Sequence, residues 1–289
     1  MNTTTSGAAR IVILLLLFTI AFPPGSGASP SSAAGLFKAA YTGDIETVKR
    51  LLDGGDDVNA RDDVEGTALM YASLAGHTGI VRLLLDRGAD VNARTIQGVT
   101  ALMMACEKGH ADIVKLLLEN RADVNAKSHE DGTALMAAAQ EGHTDIVKLL
   151  LAKGVDIDTR STAGITALFY AYQYGHIDIV KLLLNEGADI DTRDLNGGTA
   201  LMAASWYGHI DIARLALDKG IDVNARNNDG WTALMLASLK GHTDIVRLLL
   251  GKGADVNARA DNGATALLVA SAEGHGDIVR LLREKGARQ

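Results

Sequence analysis

Seven of the eight histidines in this 289-residue chain stand directly after a glycine, at His77, His110, His143, His176, His209, His242 and His275. A histidine row is a natural place to look for a metal centre, because neutral imidazole is a common ligand. The spacing argues against one. Consecutive members lie 33 residues apart. If each sits on its own helix, the row advances by about 8–10 Å per step, whereas ligands on one Zn²⁺ must each approach to about 2.0–2.1 Å. The expectation is therefore no metal site and no cofactor, with each imidazole bracing the turn between two helices. His129 falls outside the row and is expected at an exposed hairpin tip, as a contact residue. Cys106 is the only cysteine, which excludes a disulfide framework and any Cys-cluster zinc or iron-sulfur site. Most equivalent positions hold Ser or Ala, so it reads as a small core residue rather than a nucleophile. Acidic pairs are plentiful, but they repeat with the scaffold. A catalytic constellation should break the repeat, and none does, so no catalytic residues are expected and the chain is read as a non-enzyme.

Two further rows share the register. Met70, Met103, Met136, Met202 and Met235 are expected to pack the core and its shoulder; an adaptable apolar binding stripe is the alternative. Arg61, Arg94, Lys127, Arg160, Arg193, Arg226 and Arg259 are expected to be solvated or locally paired cations beside acids such as Asp57 and Asp189. An anion-reading stripe is the alternative, since a repeated position aligns charge along one edge. The net charge of −7 gives no electrostatic footprint for a nucleic-acid backbone, so no nucleic acid is expected as partner.

The elements that carry these rows recur every 33 residues, and Thr-Ala-Leu keeps the same register from Thr67 to Thr265. In one unit Thr100 can cap a helix over Ala101 to Lys108, which Gly109 stops. Ile113, Val114 and Leu116 to Leu118 give a second helix with a continuous apolar side. Gly88, Gly154, Gly187, Gly220 and Gly253 end that helix where a left-handed backbone is needed. Two short helices cannot bury both apolar sides alone, so the units must stack.

Helix, Gly-His, second helix, Gly-Ala-Asp-Val-Asn and a hairpin tip at this period closely resemble the ankyrin repeat, over about 256 of the 289 residues. The resemblance implies an all-α repeat solenoid of stacked helix-turn-helix units with short β-hairpin loops. It also implies a curved stack with a concave face, and function through protein binding rather than catalysis. The repeat domain runs over 34–289, as 34–66, 67–99, 100–132, 133–165, 166–198, 199–231, 232–264 and a truncated 265–289, leaving no room for a second domain. Polar residues such as Arg283 and Glu284 in the last helix, and Lys49 and Arg50 in the first copy, suit terminal units. Where the family usually reads T-P-L-H, this chain has Thr-Ala-Leu-Met in most copies, so methionine packing must replace an inter-copy hydrogen bond. Arg121 replaces a helix-ending glycine and is expected to strain the third copy.

The first residues differ in kind. Arg10 is their only charge, and it is followed by the apolar run Ile11 to Phe22. That run is too short for the roughly 20 residues of a spanning helix and fits a secretory signal. Cleavage is expected after Ala28, giving a signal peptide over 1–28 and a linker over 29–33; Gly27 and Ala34 are alternative sites, and an uncleaved membrane anchor is the alternative fate. The mature chain is expected to be monomeric and exported, to a bacterial periplasm or the medium, with no stable membrane insertion.

Function should lie where the repeat loses its symmetry. The resemblance directs attention to hairpin tips and to the two residues before each Gly-His. Aromatics occupy those two positions only at Tyr174, Trp206 and Tyr207, and Trp231 adds one at the base of the next tip, between the small Gly198 and Ala264 of its row. Tyr174 and Tyr207 are expected to be neighbours, with Leu239 and Lys240 as rim, and the six residues form the expected partner-binding surface. Phe169, Tyr170 and Tyr172 are expected mainly to pack. The partner is expected to be a protein; an inhibitory or stabilising role toward a co-exported enzyme or toxin is the alternative.

Overall fold

The computed structural model describes residues 32–288. The expected signal peptide, its cleavage points at Ala28 and Gly27, and the first part of the linker lie outside the described residues. Ser32 and Ala33, assigned to the linker by the repeat count, already belong to the first helix.

Sixteen helices are described, in two compact units that divide between Val155 and Asp156. The first unit holds α1 (Ser32–Thr42), α2 (Ile45–Asp53), α3 (Ala68–Ala75), α4 (Thr78–Asp86), α5 (Ala101–Lys108), α6 (Ala111–Glu119), α7 (Ala134–Glu141) and α8 (Thr144–Leu151). The second holds α9 (Ala167–Tyr174), α10 (Ile177–Asn185), α11 (Ala200–Tyr207), α12 (Ile210–Asp218), α13 (Ala233–Lys240), α14 (Thr243–Gly251), α15 (Ala266–Ala272) and α16 (Gly276–Glu284). Within each unit the odd-numbered helices pack in one layer, the even-numbered in another, and each odd helix packs on the even helix that follows it.

Helices of eight or nine residues are too short to persist alone, so capping and stacking must hold them. Each first helix from α3 on opens on a threonine in extended backbone whose Oγ1 accepts the third N–H onward, as from Thr67 to Met70 and from Thr232 to Met235. The methionines of that position are 1–3% exposed, which makes the row core. Leu69, Ile80, Val81 and Leu84 in one copy, and Leu201, Ile212 and Ala216 in another, show how both layers bury one apolar side. Cys106 is fully buried, and burial pushes its thiol above the ordinary range.

The histidines differ from expectation in what they brace. Each occupies the cap position of a second helix but makes no side-chain cap. Within the units, Nε2–H donates to a carbonyl of the preceding copy's first helix, as from His77 to Tyr41 at 2.9 Å, His110 to Leu74 at 3.2 Å, His209 to Gln173 at 3.0 Å and His242 to Trp206 at 3.1 Å. The imidazole also packs close against the preceding copy's glycine. A Cβ on Gly76 would fall 2.7 Å from His110 Cε1, and Gly76 also needs its φ of +86°. Glycine and histidine therefore recur together because within each unit the glycine of one copy seats the ring of the next.

A second clasp joins the loops. Asn59 donates from Nδ2 to the Gly88 carbonyl at 3.2 Å while its Oδ1 accepts from Asp90 N–H at 2.7 Å, and Asn92, Asn224 and Asn257 repeat the pattern. The expected β-hairpins are mostly turns; among the described residues the one isolated β-bridge joins Arg193 to Thr199. Within each unit neighbouring tips touch through one backbone bond, as Ile96 N–H to Val64 O at 3.0 Å and Asn228 N–H to Asn196 O at 2.8 Å.

Candidate functional site

The expected binding residues all lie in the second unit, on α9, α11, α13 and the loop before α13. The helices place them by register: Tyr174, Tyr207 and Lys240 close successive first helices, and Trp206 and Leu239 precede the last two. Tyr207 is 41% exposed, among the large apolar or aromatic side chains most open to solvent. Its ring stacks on His209 with centroids 6.2 Å apart, and its hydroxyl accepts from Gln173 Nε2 at 3.3 Å. Partial burial pushes the phenol above its ordinary range, while the Gln173 bond pulls the other way. Gln173 is itself buried, so it holds Tyr207 in place and leaves the phenolic proton free to donate outward.

Trp206 is half-buried, and Lys240 Nζ sits 3.8 Å from its ring centroid. Lys240 is therefore more than rim: a cation over an indole face is held by the ring quadrupole, by about 0.5–1 kcal/mol at an open site. The Trp206 carbonyl carries the His242 bond, and the Leu239 carbonyl carries that of His275 at 3.1 Å. Both side chains thus project from backbone fixed by the clasp to the next copy. Tyr174 is half-buried and stacks on Tyr170 at 6.4 Å. Trp231 is half-buried at the tip's base, where Asn227 Oδ1 accepts its N–H at 2.8 Å. Phe169, Tyr170 and Tyr172 are buried, as expected of packing residues. The Tyr172 hydroxyl is buried without a hydrogen-bond partner, and burial together with the nearby Asp191 carboxylate pushes it up.

The basic row is exposed, as expected, but among the described residues no ion pair joins it to Asp57 or Asp189. Arg160 donates to the Arg193 carbonyl at 3.0 Å and Arg193 to that of Arg226 at 3.1 Å, each reaching one copy onward. Arg94 reaches the Lys127 carbonyl in the same way. Where carboxylates are involved they are Glu65, 2.7 Å from Arg61, and Asp261, 3.3 Å from Arg226. Most of this row is committed to backbone, which weakens the anion-stripe alternative. His129 is exposed at its tip as expected.

Sequence reasoning did not find Leu195, 68% exposed at a hairpin tip of the second unit. Its only signal is a large apolar residue where the other tips of that unit carry Thr162, Asn228 and Asp261. The tip closers were also missed: Thr95, Ser128, Asp194 and Asn227 each accept the N–H four residues on. Their polar type at a fixed offset before a positive-φ residue was the available clue.

Among the described residues no group of three or more His, Cys, Asp or Glu side chains could hold a metal ion, and no helix is long and apolar enough to cross a membrane. Stacked helix pairs and a glycine-seated histidine define an all-α repeat solenoid, and the candidate residues on it are half-buried or exposed aromatic, aliphatic and basic side chains. The family model described as ankyrin repeats (3 copies) matches residues 36–128, 135–227, 190–260 and 225–289, and the chain belongs to that family. No individual curated protein matches it. Membership supports a protein–protein interaction module, in a family that is typically non-enzymatic.

Proposed function

We propose that the protein is an exported, non-enzymatic binding module that grips a protein partner through Trp206, Tyr207, Leu239 and Lys240, flanked by Tyr174 and Trp231. The carrying observation is the Lys240–Trp206 contact beside the exposed Tyr207. The corresponding residues of the first unit are Leu74, Ala75, Glu107, Lys108, Gln140 and Glu141, a more polar and non-aromatic set. Aromatic side chains bury large area with few rotatable bonds, so they make effective anchors. Export rests on the leader, whose apolar run and small-residue exit have the form of a cleaved signal.

The test is capture of binding proteins from the exported fraction of the native source by wild type and by the double variant Trp206→Ala/Tyr207→Ala. Retention of the same proteins at equal strength by a folded double variant would overturn the surface. A mature N-terminus at Ser29 would support export and cleavage. A mass retaining residues 1–28 would support an anchor instead.

A further inference from the structure

Between α12 and α14 a groove of about 550 Å³ opens, lined by Ile210, Arg214, Asp244, Arg247, Leu248, Gly251 and Lys252. It faces away from the first-helix residues just described, because second helices build it. Neither Arg214 nor Arg247 makes an ion pair or hydrogen bond among the described residues. A three-residue offset to an acid allows pairing but does not ensure it; among the described residues Lys115 and Lys181 also form no ion pair with Asp112 and Asp178. On α8, Lys148 pairs with Asp145 at 3.5 Å, and on α16 Arg280 pairs with Asp277, both at the same three-residue offset. Arg214 acts on Asp218 through its field only, and Lys252 already pairs with Asp218 at 2.9 Å.

Gly251 stands where Asp53, Asp86, Glu119, Asp218 and Glu284 put a carboxylate; Ala152 and Asn185 also lack one, but Gly251 alone at this position carries no side chain. A Cβ built on Gly251 meets nothing within 4 Å, so the space a carboxylate would have filled is open. The lining holds three cations, Arg214, Arg247 and Lys252, and one carboxylate, Asp244, with Asp218 paired to Lys252 beside it. Ile210 and Leu248 supply the apolar part of the groove's lining.

We propose that this groove is a second binding site, for a phosphate dianion. Two guanidinium groups from neighbouring helices can each present paired N–H donors to phosphate oxygens, and Lys252 adds a point charge. The apolar part of the lining would accept the carbon atoms of a phosphorylated side chain. Inorganic phosphate shares the headgroup chemistry but not that contact, so the two sources can be told apart.

The test titrates the folded protein with inorganic phosphate, a phosphoserine peptide and its unphosphorylated twin, following backbone amide shifts on α12 and α14. Saturable shifts with phosphate or phosphopeptide are expected. The phosphopeptide should bind at least tenfold more tightly if a modified side chain is the ligand, and equally if free phosphate is. Arg214→Gln/Arg247→Gln and, separately, Gly251→Asp should each weaken binding at least tenfold with the fold retained. Arg280→Gln and Trp206→Ala/Tyr207→Ala should not, the latter keeping this site independent of the protein-binding surface. No saturation by any probe, equal binding of the unphosphorylated peptide, or an Arg280→Gln loss equal to that of the double arginine variant would overturn the proposal.

Discussion

Arg121 holds φ at +66°, a left-handed backbone that equivalent copies give to glycine, while its carbonyl still accepts the Asn92 clasp at 3.3 Å. A side chain there costs about 1–2 kcal/mol, so Arg121→Gly should raise stability by about 1 kcal/mol, read from urea unfolding. Gly76→Ala should do the reverse, losing about 2–3 kcal/mol, since it combines the wrong φ with collision on the His110 ring. If His110→Ala in the same chain relieves none of that loss, the ring is not what glycine accommodates. Glu107 is a first-unit carboxylate whose titration burial shifts upward. Its side chain is 14% exposed, and its Oε2 is buried without a partner. Desolvation raises its pKa above the ordinary carboxylate value, with Glu141 adding to the rise and Lys108 opposing it. A carboxyl whose folded pKa is raised binds its proton more tightly when folded, so its favourable contribution is complete below the unfolded pKa and fades as pH climbs through the folded one. Glu107→Gln should flatten that slope in the mildly acidic range, and an unchanged slope would assign it elsewhere.

At the scale of elements, the loop clasp has weak members. Asp158 and Asp191 stand where Asn59, Asn92, Asn224 and Asn257 donate to a carbonyl. Asp158 keeps the accepting half of the clasp, from Asp189 N–H at 3.0 Å, but a carboxylate has no hydrogen to give to the opposing carbonyl. Asp158→Asn should restore that bond and add about 1 kcal/mol, seen as slower amide exchange in the loop before α11. These clasps also show where the sequence was readable. Helix positions, caps and Gly ends follow from apolar spacing and backbone dihedrals, which residue type reports directly. The clasps do not, because His242 and Asn224 act on carbonyls that every residue carries, and an acceptor without a side chain leaves no mark. Lys240 was placed at the rim for the same reason: its partner Trp206 lies 34 residues away, on another helix. The aromatic surface was legible because it is an exception to a repeat, and the groove beneath Gly251 was passed over because its exception is a missing side chain.

Across the molecule, stability in such a stack is a sum of copy terms and joints between neighbours. In the second unit α15 is the shortest helix, ends on Glu273 without a left-handed cap, and leaves Ser271 to Gly274 exposed. Hydrogen exchange should therefore open α15 and α16 ahead of α11 to α14; uniform protection would mean a single cooperative block. The seating of each histidine against its predecessor's glycine has a further consequence. Because the joint depends on two residues a fixed distance apart, cutting the gene anywhere within a copy and duplicating 33 residues regenerates the same joint on both sides of the insert. Unequal crossing-over between copies can thus lengthen or shorten such a protein without designing a new interface. The copies holding Trp206 and Gly251 would carry their surfaces with them as the array around them changes in number.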